Sequence, residues 1–186
     1  MVNRPPDPAV VNALLARLAA NTAIPIRVRR WAAQVAQASA EKAPDAVGPE
    51  RWAYAMFALF LRESGGDPAV HGDGGLAHGL GQIHERYWPE FAALSEAEKH
   101  DPMVNARWAA KILRGEWAYW SSKGHGDQAL RFALTSYNAG RRSVARALAA
   151  GRDPDSATTG GDYSADILGN AVAWINATGT GDQVIA

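Results

Sequence analysis

A glutamate, Glu63, stands at the end of the apolar run WAYAMFALFLRE and is followed by Ser64, Gly65 and Gly66. A glycine pair after such a run is a helix-ending signal, so Glu63 falls in a last helical turn. The partial negative charge of a helix C-terminus and the low dielectric expected beside Phe57, Leu59, Phe60 and Leu61 both disfavour a carboxylate anion. The expected result is a carboxyl with a raised pKa, protonated near neutral pH and able to give its proton to a leaving oxygen. Taken alone, the same pattern also describes a solvated glutamate at a fraying helix end, paired with Arg62 or a more distant base.

The segment that follows bears on this choice. From Gly65 to Gly81, GGDPAVHGDGGLAHGLG contains seven glycines, which no regular helix or long strand carries without cost. It predicts a structured loop with at most a short β-hairpin, one whose backbone can approach a bulky polymeric ligand or can simply connect two helices tightly. Asp73 within G-D-G-G is either a second acidic group or a turn residue. His71, His78 and His84, with Asp73, fit no compact zinc spacing such as H-E-x-x-H, and are read as hydrogen-bonding or stacking groups. No metal and no cofactor are expected.

These residues need a scaffold, and the pattern supplies helices. Pro5, Pro6 and Pro8 open the chain, with Asp7 as N-cap of an amphipathic helix through Val10, Leu14, Leu15 and Leu18. IRVRRWAAQVAQASAEK reads as one second helix with Val28, Trp31, Ala32 and Val35 on its apolar face. PERWAYAMFALFLRES, apolar almost all round, reads as the buried central helix. Further helices are expected around Tyr87 to Leu94, over DPMVNARWAAKILRGEWAYW, over GDQALRFALTSYNAG, from Arg141 to Ala150 and from Tyr163 to Ala177. Most of the seven tryptophans fall at helical spacing and are expected in the core, with Trp88 as the one facing a cleft.

Composition narrows the function classes. A chain of 186 residues, 47% hydrophobic, suffices for one domain with a full core. Nineteen basic residues balance nineteen acidic ones, so no global field draws it to nucleic acid or anionic lipid. There is no cysteine, which excludes disulfides, thiolate metal sites and a cysteine nucleophile. No stretch approaches the roughly 20 apolar residues of a bilayer span, and membrane insertion is not expected. The N-terminus lacks the pattern of a signal peptide.

In order along the chain, RESGGDP, GDGGLAHGLGQIHERYWP, DPMVNARWAAKIL and ALTSYNAG resemble the successive motifs of the goose-type lysozyme and soluble lytic transglycosylase group. The resemblance runs from about Trp52 to Gly140 and more weakly to Tyr163 and the last helix. It implies a mainly α, lysozyme-like domain over residues 46–186, one folded unit, with residues 1–45 as a helical extension packed on it. It makes Glu63 the catalytic acid, puts Gly79, Leu80, Gln82 and Ile83 at the floor of a substrate cleft and Tyr137 and Asn138 along its opposite wall, with Ser64, His84, Trp88 and Tyr163 as further substrate-binding candidates. Gln82 can offer a donor and an acceptor to an N-acetyl group, and Tyr137 a ring face with a hydroxyl. The alternatives are a polar loop residue and a buried aromatic. Arg141 and Arg142, just beyond, suit acidic peptide stems or a solvated helix start.

The resemblance implies cleavage of bacterial peptidoglycan between N-acetylmuramic acid and N-acetylglucosamine. Hydrolysis needs a base to activate water, with carboxyls roughly 6.5–9.5 Å apart in the inverting case, and Asp73 matches a second acidic position of the goose-type enzymes. His84 stands where those enzymes tend to hold another aspartate, and Gly81 where many relatives have methionine. The leading expectation is hydrolysis with Glu63 as acid and Asp73 assisting water. A lytic transglycosylase, in which the substrate's own 6-hydroxyl closes a 1,6-anhydro sugar, is the close alternative. A non-catalytic glycan-binding or virion module is the other. The expected setting is a monomer made in the cytoplasm and delivered to the wall, as a phage endolysin is.

Overall fold

Helix α4 (Pro49–Ser64) is the element around which its neighbours collect. Proline occupies its first turn, and every residue from Trp52 to Phe60 is buried, as a sequence apolar on all sides requires. A computed structural model describes residues 5–178 of the chain, which divide into two compact units: residues 5–110 with 171–178, and Lys111–Asn170.

In the first unit, α1 (Pro8–Ala20) starts where the sequence expects, the Asp7 carboxylate accepting the Ala9 amide. Leu14 and Leu18 are its buried residues, and it packs on α3 (Ala32–Lys42), which packs on α4. Asn21 caps the end of α1, and its amide donates to the Tyr54 hydroxyl and to the Trp174 carbonyl.

The single helix expected over IRVRRWAAQVAQASAEK is two. Helix α2 (Ile26–Arg29) stops at Arg30, and Trp31 leaves helical geometry before α3 begins. The reason is tertiary: the Arg30 guanidinium and the Trp31 indole N–H both donate to the carbonyl of Gly66, at 2.8 and 2.9 Å. Trp31 therefore does not join Val28, Ala32 and Val35 in the core but stays half-buried.

The glycine-rich loop forms a small antiparallel sheet. β1 (His71–Gly72) pairs with β2 (Ala77–His78), the expected hairpin, and β2 pairs also with β3 (Ile83–His84). The helix expected from Tyr87 to Leu94 is one turn, α5 (Pro89–Ala92), after a 3-10 turn at Glu85–Tyr87. A further helix, α6 (Glu96–His100), was not expected from the pattern. Ser95 starts it with a reciprocal capping box to Glu98.

Helix α7 (Pro102–Ser122) follows, then α8 (Ala129–Ala139), α9 (Arg141–Ala149) and α10 (Tyr163–Ala177). In the second unit, Glu116 meets Arg141 while Trp120, one turn on, meets Ser136 and Phe132, so α7 and α8 run in opposite senses. Asp155, 2% exposed, accepts from the hydroxyls of Thr135 and Ser164 and the amides of Ser164 and Ala165. One buried carboxylate thus joins α8 to the first turn of α10, where amide donors point outward.

The fold is mainly α, as expected. No helix among the described residues is long and apolar enough to cross a membrane.

Gly66 has two demands on it: φ of +83°, and a backbone position where a Cβ would meet the Arg27 carbonyl and Val28 Cγ1. Gly66→Ala is expected to lower unfolding stability by about 1–3 kcal/mol, the cost of a residue forced into a disfavoured backbone state. Denaturant unfolding checks it, and an unchanged midpoint would show that the α2 corner does not hold this turn.

Candidate active site

Glu63 is half-buried in the last turn of α4. Its setting follows from how that helix ends. Gly65 takes the left-handed conformation (φ 63°, ψ 13°), its amide donates to the Leu61 carbonyl, and the Gly66 amide donates to Phe60. This is the glycine-capped ending read from the sequence. The Ser64 hydroxyl bridges to the Leu80 carbonyl at 2.9 Å, with the Phe60 carbonyl 3.1 Å away. The residue next to Glu63 is thus bonded to the glycine-rich loop.

Across that loop the candidate residues divide into those that hold it and those that face outward. Leu80 and Ile83 are 0% and 1% exposed, so their side chains belong to the core and only their backbone groups can meet a ligand. Gln82 has φ +48°, a region that non-glycine residues seldom adopt. Its side-chain amide donates to the carbonyls of Val70 and Gly79 at 3.1 and 3.0 Å. Those bonds offset the backbone strain and commit the amide donors to the loop. The Gln82 Oε1 lies against Gly72, where a Cβ would collide with it.

Asp73 is exposed and also has φ +48°. Its carboxylate lies 3.9 Å from His84 Nε2, while His84 Nδ1 accepts from the Arg86 amide and the ring packs on Tyr87. Trp88 is half-buried beside Trp108, ring centroids 6.2 Å apart. Tyr137, Asn138 and Tyr163 lie in the second unit, half-buried, exposed and 2% exposed respectively. There Arg141 makes a two-toothed ion pair with Glu116 and covers the Tyr119 ring at 3.9 Å.

The sequence grouped His71, His78 and His84 with Asp73. The fold separates them: Asp73 and His84 pair, whereas His71 and His78 gather with Glu96 and His100 of α6.

Asn105 is the residue that sequence reasoning missed. It is fully buried on α7, accepts the Gly81 amide at 2.8 Å, and donates to the carbonyls of His78 and Lys99 at 2.8 and 3.0 Å. A Cβ at Gly79 would collide with this side chain, so the loop can approach it only through glycine. A signal was present: Asn105 sits at the spacing of buried Ala109, Ile112 and Leu113, a polar residue in an apolar stripe.

Residues 46–159, more than half of the chain, match the family described as Transglycosylase SLT domain. No curated protein matches the chain.

Replacing Asn105 with alanine leaves three buried backbone groups short of a partner. It is expected to destabilise by roughly 1–3 kcal/mol for each group that water cannot reach, and to speed amide exchange across residues 78–82 before global unfolding. Exchange rates unchanged in that segment would refute the role assigned to Asn105.

Proposed function

Because the chain belongs to the transglycosylase SLT domain family, whose enzymes cleave the glycan strands of peptidoglycan, we propose that Glu63 is its catalytic acid and that the bond broken joins N-acetylmuramic acid to N-acetylglucosamine. The observation that carries this is the position of Glu63, half-buried in the last turn of a buried helix whose next residue is bonded to the glycine-rich loop. A carboxyl so held is placed to protonate the leaving glycosidic oxygen.

For the second half of the reaction the preferred route is intramolecular. The 6-hydroxyl of the muramyl sugar attacks its own C1, the bond to the leaving oxygen breaks, and the proton of that hydroxyl passes to the Glu63 carboxylate. Glu63 ends as it began, and the product carries a 1,6-anhydro ring.

Two observations support this over the attack by water that the sequence reading favoured. The matched family is one of transglycosylases. Asp73, the candidate base for water, has a side chain 72% exposed and 3.9 Å from an imidazole nitrogen. A general base works best fixed beside its water, which an exposed turn residue does poorly.

Glu63→Gln keeps the shape and removes the transferable proton. It is expected to cut muropeptide release from purified peptidoglycan by at least about 10²–10⁴-fold, the range for general acid–base groups, with unchanged circular dichroism and melting. Full activity in that variant would sink the assignment. Mass spectrometry of the products separates the two routes: anhydro ends with an Asp73→Asn variant near the parent rate are expected. Reducing ends together with a slow Asp73→Asn variant would establish hydrolysis instead.

A further inference from the structure

We propose that His71, His78, Glu96 and His100 form a binding site for one divalent transition-metal ion, zinc being the natural occupant, and that the ion fastens the glycine-rich loop to α6. The four residues come from β1, β2 and both ends of α6, and one ligand atom from each lies within 4.8 Å of all the others. His78 Nδ1 is 3.3 Å from His100 Nε2. The Glu96 Oε2 atom lies 3.7 Å from His78 Nδ1, 3.8 Å from His71 Nε2 and 3.9 Å from His100 Nε2. A tetrahedral zinc site with bonds of about 2.0–2.2 Å has ligand atoms about 3.3–3.6 Å apart, so these pairs are within a few tenths of an ångström of that spacing and the widest pair has to close by about 1 Å through side-chain rotation.

The hydrogen bonds around the cluster orient each ligand. His100 Nδ1 lies 2.6 Å from the Pro68 carbonyl and His71 Nδ1 3.1 Å from the Ala69 carbonyl. A carbonyl only accepts, so these nitrogens carry the protons and each Nε2 turns a lone pair toward the cluster. Backbone carbonyls holding the far nitrogen of a histidine are the usual outer support of metal ligands. Glu96 is supported likewise: Lys99 donates to its Oε1 at 2.9 Å and to Glu85 at 2.7 Å.

His78 supplies the independent sign that something is bound. Its side chain is 3% exposed, with Nε2 3.3 Å from a Glu85 oxygen yet making no well-directed hydrogen bond, and Nδ1 facing His100 Nε2. A neutral ring has one proton for two acceptors. With that proton on Nε2, two lone pairs confront each other at 3.3 Å; with it on Nδ1, a lone pair confronts a carboxylate. A metal ion accepts both imidazole lone pairs and lets Nε2–H point to Glu85.

Three imidazoles and one carboxylate favour zinc over the harder magnesium and calcium. Four protein ligands leave no open position, which makes the ion structural rather than catalytic. The proposal does not rest on the reaction assigned to Glu63.

Tag-free protein, stripped with chelator and titrated with zinc against a chromophoric competitor, is expected to bind one equivalent and melt at a higher temperature. Cobalt(II) in its place should give the intense visible absorption of tetrahedral coordination. His71 and Glu96 have side chains 50% and 64% exposed, so His71→Ala and Glu96→Gln should fold while losing stoichiometric binding. Glu85→Gln should weaken it about 10–100-fold, as loss of an outer support does. His84→Ala should bind as the parent does. A folded parent that takes up no zinc, binding that survives the double substitution at His71 and Glu96, or loss of binding in His84→Ala would each overturn the proposal.

Discussion

A helix buried along its length must still find partners for its last carbonyl groups, and α4 does so through the left-handed turn at Gly65 and Gly66. Much of the first unit is arranged around that turn. The Gly66 carbonyl draws in Arg30 and Trp31, which breaks the second helical segment into two. The Ser64 hydroxyl takes the Leu80 carbonyl and so brings the glycine-rich loop against the end of the helix. Glu63 immediately precedes the first of these anchors in the chain. Its position is a consequence of how the helix stops, before any ligand is considered.

The loop presents the opposite problem. Seven glycines allow close backbone approach but lose much conformational entropy on ordering. A loop of this composition keeps one conformation only if rigidity comes from outside it. The first unit supplies it by side chains that reach into the loop's backbone. Asn105 takes Gly81 and His78, Gln82 bonds back to Val70 and Gly79, and His100 and His71 bond the carbonyls of Pro68 and Ala69. An ion at the histidine cluster would extend the same principle, joining β1 and β2 to α6 through bonds stronger than any single hydrogen bond.

The second unit is organised around a buried anion. Asp155, from the segment between α9 and α10, accepts four hydrogen bonds, two of them from amides in the first turn of α10. Removing it would leave those donors buried and unpaired, the costly side of the hydrogen-bond balance. Arg141 is held between Glu116 and the Tyr119 ring, so a role toward acidic peptide stems would compete with an ion pair already made.

What the sequence determined by itself is what repeats locally. The buried central helix, its glycine ending, the Asp7 cap of α1 and the mainly α class follow from periodicity and capping, which act over a few residues. The order of motifs was enough to point to the family. Only the tertiary structure decided what depends on residues far apart in the chain. It broke the second helix at Trp31 because Gly66 offers a carbonyl there, and it turned Leu80 and Ile83 into the core. It exchanged His84 and Asp73 for His100 and Glu96 as companions of His71 and His78. Spacing in sequence cannot reveal such a set, because the ligands are brought together by the packing of a sheet and a helix whose separation the chain between them does not encode.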